Sequence, residues 1–496
     1  MNILIPLLLA LPLFGAALSL TLHGNLRLQR LFSVVVLSAN LGAAVWLLIR
    51  VSDSGAAAVN LGGWPAPIGI TLVADLFAAL MVVVAAIMVL GVLVYAIGSP
   101  ATRDQSLFFH PMFLVLATGV SGSFLAGDLF NLFVAFEVML SASYVLLTLG
   151  GRAQQVRSGM TYVVISLLAS TLFITAVALV YAATGTVNMA DLAQRIPDLP
   201  TGVRDALGLL FLVVFGIKAA IFPLFFWLPD SYPTSPTPVT AIFAGLLTKV
   251  GVYAIIRTQV LLFPSDGPST LLLTIAGATM AVGIMGAIAQ DDIKRILSFH
   301  IVSQIGYMVL GLGLFTVAGL AGAIFFIIHQ IVVKTTLFLV GGLVESVTGT
   351  GALHRLGGLV HHLPLVAGFF MLPALSLAGL PPFSGFVGKL ALVQEGLALE
   401  RYVVVGVSLV VSLLTLFSMT KIWAGAFWGA PDEEPASDLP PHSQTNISRS
   451  ALWSTGALVA VGLAIAFWAA PIYDLSNRAA EWLIDPALYI GLVLGE

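Results

Sequence analysis

Six side chains carry acid–base chemistry in places where charge is costly: Glu137, Lys218, Lys249, His329, Lys334 and Lys389. Lys218 lies in LFLVVFGIKAAIFPLFFWLP, Lys249 in TAIFAGLLTKVGVYAII, Lys334 in IFFIIHQIVVKTTLFLVGG and Lys389 in PPFSGFVGKLALV. A lysine at mid-bilayer costs at least ~2.5 kcal/mol, so four in one chain need a reason. The division of labour between the two basic residues offers one. Every Arg is expected in a connection or at a span end, whereas five of the six Lys fall inside apolar runs. Arginine stays charged everywhere, but burial penalises the charged form of lysine, which can then gain and lose a proton. The chemistry is proton transfer rather than bond making.

Glu137, in NLFVAFEVMLSASYVLL, is the only carboxylate expected deep in a span. An unpaired buried carboxylate takes up a proton, so Glu137 is expected to pair with Lys218 on a neighbouring helix. His329 is the only histidine expected to lie deep, five residues before Lys334, with Gln330 four before it on the same helical face. That makes His329 a relay group. His361 and His362 are adjacent, which is no ligand geometry, and no facing pairs of deep histidines exist for a haem. Asp75 and Asp128 stand at span starts and read equally as helix caps or as proton groups. Glu345 and Glu395 lie near span ends and are expected to face water or a partner, while Lys421 is close enough to an end to snorkel.

The elements that must hold these groups are membrane helices. Hydrophobic residues make up 59% of the 496 and charged residues 9%, against about 25% charge in a soluble domain. The apolar blocks run to roughly 20 residues, the length that crosses ~30 Å of hydrocarbon. Spans are predicted near 3–22, 31–50, 72–97, 108–127, 129–149, 159–183, 206–228, 237–262, 270–289, 297–315, 318–345, 365–398, 402–428 and 451–471. The fold class is thus all-α and polytopic, with about fourteen transmembrane helices. The first block has no Lys or Arg before it and reads as a retained span rather than a secretory signal. There is no cysteine, which excludes disulfides and thiolate-held clusters. A net charge of −3 suggests no nucleic-acid partner.

Arg27, Arg30, Arg103, Arg152, Arg157, Lys294, Arg295, Arg355 and Arg449 fall on one side of this arrangement. Arg50, Arg195, Arg204, Arg257, Arg401 and Arg478 fall on the other. The more basic side is expected to be cytoplasmic, with both termini on the outer face. The polar stretch 431–449 is then a cytoplasmic loop. Two spans are interrupted: the seventh by Pro223 and Pro229, the twelfth by Pro381 and Pro382. Proline in a membrane helix frees carbonyls that need a cavity or a neighbour, and matched breaks in two halves point to an ion site. The breaks lie five spans apart and predict two inverted five-helix repeats. The expected divisions are 1–107 (three spans), 108–263 (first repeat), 264–430 (second repeat) and 431–496 (loop, last span and a short tail).

The motifs GDLFNLFVAFEVMLSASYVLL, FGIKAAIFPLFFWLPDSYPTSPTPVTAIFAGLLTKVGVYAIIR, DDIKRILSFHIVSQIGYM, HQIVVKTTLFLVGG and LAGLPPFSGFVGK resemble the antiporter-like subunit family. That family includes the large proton-pumping membrane subunits of respiratory complex I, their relatives in membrane-bound hydrogenases, and the large subunits of Mrp-type Na⁺/H⁺ antiporters. The resemblance covers about residues 110–395. It implies that the family's fifth-span carboxylate is Glu137 and that its lysines of spans seven, eight, eleven and twelve are Lys218, Lys249, Lys334 and Lys389. Some relatives carry His four residues before the eleventh-span lysine; here that place is Gln330, beside His329. A lysine at 389 and the short stretch after the last span favour the antiporters over the complex I subunits. The implied function is ion translocation in a multisubunit monovalent cation/proton antiporter, with protons passing along a midplane relay. The alternative is a proton-pumping subunit of a complex I-like NADH dehydrogenase or membrane-bound hydrogenase. Either way the chain is a transport subunit rather than the enzyme itself. The implied partners are other membrane subunits and the lipid bilayer, in a bacterial inner membrane. The implied cargo is H⁺ and a monovalent cation, with no cofactor, and a metal site is left open.

Overall fold

Polar side chains at the edges of the apolar blocks decide where the helices begin. The computed structural model describes residues 3–99, 106–149, 151, 153–429 and 447–495. In chain order its helices are α1 (Leu4–Thr21), α2 (Leu26–Ser54), α3 (Leu76–Gly98), α4 (Ser106–Leu125), α5 (Leu129–Thr148), α6 (Ala153–Thr184), α7 (Met189–Arg195), α8 (Thr201–Ala219), α9 (Trp227–Ser231), α10 (Thr237–Ile242), α11 (Thr248–Leu261), α12 (Thr270–Ile288), α13 (Ile293–Leu314), α14 (Val317–Thr348), α15 (Leu359–His362), α16 (Pro364–Ala378), α17 (Ser384–Ala398), α18 (Tyr402–Ile422), α19 (Arg449–Phe467), α20 (Ala469–Ile484) and α21 (Pro486–Leu494). Asp75, Asp128, Asn188, Asp292 and Thr316 each accept a hydrogen bond from a backbone N–H in the turn that follows. Those donors have no carbonyl of their own, so of the two readings of Asp75 and Asp128 the structure shows the caps.

Twelve helices among the described residues are long and apolar enough to cross a membrane. Phe14, Trp46, Leu168 and Leu413 project outward from α1, α2, α6 and α18, as a lipid-facing shell requires. Nearly all of the stretch Thr237–Leu261 and residues Gly319–Val344 of the 32-residue α14 are buried. A short antiparallel hairpin, β1 (Ala57–Asn60) with β2 (Thr71–Ala74), precedes α3. Residues 72–74, expected at the start of the third span, belong to it. The last residues form more than a tail: α20 packs on α14 and α3, burying Ser476, Ala479, Ala480 and Leu483. Arg103, Arg152 and most of the polar stretch 431–449 lie outside the described residues.

Both interruptions end in the same local geometry. After α8 the chain turns left-handed at Ala220, and Ile221 N–H returns to the Gly216 carbonyl at 3.1 Å. After α16 it turns left-handed at Gly379, and Leu380 N–H returns to the Leu375 carbonyl at 3.2 Å. This is the helix-ending turn that ties off carbonyls of the last turn. Pro381 and Pro382 lie in the second gap and Pro223 in the first, as expected. Pro229 does not: it sits inside the short helix α9, where an early-turn proline costs no internal bond.

A second correspondence was not visible as a motif. Thr184–Gly185–Thr186 and Thr348–Gly349–Thr350 form the same turn, with both glycines left-handed (φ 77° and 75°). In each, the first threonine hydroxyl bonds the carbonyl of the second, at 3.3 and 2.9 Å. Beyond the turns, Leu129 N–H bonds Val187 O and Met189 N–H bonds Gly127 O. Ile293 N–H bonds Gly351 O and Leu353 N–H bonds Asp291 O in the same pattern. The starts of α5 and α13 are thus stitched to the ends of α6 and α14 by matching pairs of backbone bonds.

Candidate functional site

Five of the six groups singled out above are buried, and Glu137 is half-buried. The site begins on α5 with Glu137. Its carboxylate accepts a hydrogen bond from the Ser170 hydroxyl of α6. Ser170 in turn accepts from Lys218 Nζ of α8 at 3.2 Å, and that ammonium lies 5.2 Å from the Phe136 ring centre. Glu137 and Lys218 are therefore joined through a serine rather than in the direct ion pair expected. Beside them is a cavity of about 20 Å³ lined by Lys218, Ser166, Tyr162 and Trp227, room for one water. Lys218 sits in the last turn of α8, where the helix's carbonyl end favours a cation.

Lys249 is placed by a widened helical turn. Residues Phe243–Leu247 form a π segment between α10 and α11, a feature that disturbs the ordinary bonding ladder. Lys249 Nζ donates to the Ala244 carbonyl inside that turn at 2.5 Å. The same turn packs on α14, because Gly245 has no Cβ to collide with the Thr335 hydroxyl. Gly251 likewise lets α11 approach the backbone of Lys218 and Ala219. The next group of the row, Lys334 on α14, is fully buried, and among the described residues its Nζ has no hydrogen-bond partner. It is close enough to both Lys249 and Lys389 to feel their charges.

At the far end the second break supplies the ligands. Lys389 Nζ of α17 donates to the carbonyls of Leu377 and Ala378 at 3.0 and 3.1 Å and to Ser412 Oγ at 3.1 Å. Those carbonyls belong to the interrupted end of α16. The Tyr307 ring lies 5.0 Å from the ammonium. His329 Nδ1 is 2.9 Å from Ser384 Oγ at the start of α17, and Ser384 reaches Ser376 of α16 at 3.3 Å. Gln330 turns away to Gln304 of α13. Among the described residues no hydrogen bond joins Lys218 to Lys249 or Lys249 to Lys334. The groups form a row linked by short contacts at its ends and by charge in its middle.

Several polar groups depart from expectation. His329 is not the only deep histidine: His300 of α13 is fully buried, bonds Ser418 at 2.9 Å and feels Lys334 and Lys389. His110 of α4 is buried as well. The helix carrying His300 starts at Ile293, four residues before the predicted span, which moves His300 inward. Arg257 is not at a span end facing water; it is buried in α11 and paired with Asp75. Glu345, partly exposed near its span end, is met by Lys294 Nζ at 2.5 Å. That pair lies on a polar cavity of about 1150 Å³, bounded also by Ser99, Arg157, Thr237 and Asp292. Lys421 behaves as expected, reaching Asp291 at 2.7 Å and the carbonyls of Ile288 and Gln290. The serines that bridge the row carried no signal, since Ser and Thr are common throughout membrane helices.

Residues 126–415 match the family described as NADH:quinone oxidoreductase/Mrp antiporter, transmembrane. The chain belongs to that family. This family member is 45% identical over 499 residues to the D-type Na(+)/H(+) antiporter subunit of Alkalihalophilus pseudofirmus, with 100% of both chains covered. It is 38% identical over 502 residues to the protein of the same name from Bacillus subtilis, again covering 100% of both. Among solved structures it superposes on a chain of the Mrp complex from Dietzia sp. DQ12-45-1b with a TM-score of 0.91, at 36% identity and 100% coverage of both. The family fold extends to a chain of the membrane-bound sulfane sulfur reductase, an archaeal respiratory membrane complex, at TM-score 0.88 and 26% identity over 99% of each chain.

Proposed function

We propose that this chain is the D-type subunit of a multisubunit monovalent cation/proton antiporter, working as a secondary transporter with no redox cofactor of its own. Protons pass along Glu137, Ser170 and Lys218, then Lys249, then Lys334, His329 and Lys389. The observation that carries this reading is Lys334: its fully buried side-chain nitrogen has no hydrogen-bond partner among the described residues and lies within the electrostatic reach of two further lysines. A structural role would supply it with a counter-charge or an acceptor. A group that must pass its proton on is served by lacking one. Moving Glu137 away from the Ser170 bridge removes the carboxylate that favours the charged form of Lys218, which changes the proton occupancy of the next lysine. Steps without a direct hydrogen bond are crossed by water or by swinging of the lysine chains.

The matched breaks and matched threonine turns support two five-span units, residues 108–263 and 264–430, related by inversion. An odd number of spans requires that inversion. The bias of basic residues supports an orientation with both termini on the outer face, in what we take to be a bacterial inner membrane. The other subunits of such an antiporter are the partners.

The test is cation-driven proton movement in everted vesicles from cells lacking their own antiporters. Wild-type assembly should collapse a respiration-generated pH gradient when Na⁺ or K⁺ is added. Lys334→Ala should assemble and fail to do so. Full cation-dependent exchange from assembled Lys334→Ala protein removes the relay.

A further inference from the structure

The two faces of the molecule treat Lys249 differently. On the face where α3 ends, the 1150 Å³ polar cavity reaches Thr237, at the start of the stretch that carries Lys249. On the opposite face, where Asp75 caps the start of α3, the way is filled. Tyr253 and Arg257 lie four and eight residues beyond Lys249 on α11, so Tyr253 shares its helical face and Arg257 continues toward that surface. Arg257 is paired with the Asp75 carboxylate and donates to Tyr253 Oη at 2.9 Å. Tyr253 Oη donates onward to the Phe124 carbonyl at 2.7 Å. Phe77 and Phe124 pack on the Tyr253 ring at 4.6 and 5.0 Å. From α21, the Tyr489 ring covers Arg257 at 5.6 Å.

None of these six residues is more than 4% exposed, and none belongs to the relay. Their chemistry is that of a barrier. A guanidinium cannot release its proton at any working pH, so it cannot serve as a stepping group. Paired with Asp75 it stays protonated and fixed, so a proton arriving along the helix finds no group there to take it up. The Phe77 and Phe124 rings pack against Tyr253, and the polar groups of Arg257, Asp75 and Tyr253 are engaged with one another rather than open to a water chain. Asp75 keeps the arginine in place and balances its charge.

We propose that Arg257, held by Asp75 and roofed by Tyr253, Phe77, Phe124 and Tyr489, is a seal that closes the middle of the relay, at Lys249, to the face where α3 begins. Protons then reach Lys249 only from the cavity on the other side. This rests on the relay reading above. Losing the arginine leaves a lone buried carboxylate, which takes up a proton and becomes the stepping group the seal excludes.

The experiment uses the purified complete antiporter assembly in liposomes containing pyranine. Choline is the only other cation, and thiocyanate collapses the membrane potential. A pH jump then reports proton flux with no exchangeable cation present. Arg257→Gln should raise that flux at least fivefold over wild type. Arg257→Lys, which keeps a cation, should leak much less. Adding Lys249→Ala to Arg257→Gln should return the flux to the wild-type level, because the leak runs through the relay. An Arg257→Gln assembly as tight as wild type overturns the seal, and so does a leak that ignores Lys249→Ala. If Arg257→Gln does not assemble, Tyr489→Leu leaves the charge pair and opens its roof. It should give a smaller leak with the same dependence on Lys249, and a tight Tyr489→Leu assembly likewise overturns the proposal. Lys249→Ala alone, assayed for cation-driven exchange, separates the two ideas: retained exchange defeats the relay, whatever the leak assay shows.

Discussion

Ser170→Ala should slow antiport by roughly ten- to thirtyfold without preventing assembly. The hydroxyl makes two bonds at once, donating to Glu137 and accepting from Lys218 at 3.2 Å. Hydrogen bonds to charged groups contribute about 1.5–3 kcal/mol each. Alanine removes both, but the neighbouring cavity of about 20 Å³ can hold one water. That water can replace part of the bridge, so the net loss is about one such bond, ~1.5–2 kcal/mol. At ~1.4 kcal/mol per tenfold in rate, this gives the stated slowing. Ser170→Thr keeps the hydroxyl and should retain most activity, although its methyl must fit beside the cavity. The assay is the initial rate of pH-gradient collapse on adding Na⁺ or K⁺ to everted vesicles, normalised to assembled complex on a native gel. A wild-type rate from Ser170→Ala refutes the serine bridge. A threonine variant as slow as alanine, with normal assembly, would assign the effect to packing instead.

Glu137→Ala should abolish antiport while Glu137→Asp retains part of it; Lys218→Ala should match the first, and the double variant should be no worse, because the two act as one unit. Wild-type exchange from assembled Glu137→Ala complex would sink that pairing. Gly385→Ala should lose activity and lower the unfolding temperature, since a Cβ there collides with the Ser376 carbonyl and stands 3.0 Å from His329 Nε2; unaltered melting and transport would show that the second break can shift. Asp128→Asn should stabilise the assembly more at pH 8 than at pH 4. Burial pushes the Asp128 carboxyl up to about 6 from an ordinary 3.8, so the folded state binds more protons across that window and loses stability as pH rises through it. Roughly two units at ~1.4 kcal/mol each set the upper scale of the gain, and an equal shift in melting temperature at both pH values would contradict it.

What the sequence made legible follows from cost. Lysines inside apolar runs and prolines inside spans are expensive, so they stand out, and the structure buries Lys218, Lys249, Lys334 and Lys389 and interrupts the chain at Pro223 and at Pro381–Pro382. Cheap groups did not stand out. Ser170, Ser384 and Ser412 contact Glu137, His329 and Lys389, yet in composition they match any other membrane serine. Span starts placed by hydropathy alone misplaced charged first turns: DDIKR reads as a connection, but Lys294 is buried against Glu345 and His300 is carried inward. Arg257 was assigned to water because arginine usually goes there, and its partner Asp75 is far away in the chain. The paired turns at 184–186 and 348–350 share only three residues, too few to notice until their hydrogen bonds are compared.

The enclosure of α14 also bears on how the protein responds to its bilayer. A membrane that thins or thickens strains the helices it touches, at fractions of a kcal/mol per ångström of mismatch, and they answer by tilting. Here those are α1, α2, α6, α18 and α19, much of whose surface faces outward. At 1.5 Å per residue, α14 runs about 48 Å over its 32 residues, and its residues Gly319–Val344 are buried in protein. The helix that carries His329 and Lys334 is therefore mechanically insulated from acyl-chain length, and lipid composition should act on the rim of the molecule before it reaches the proton-carrying core.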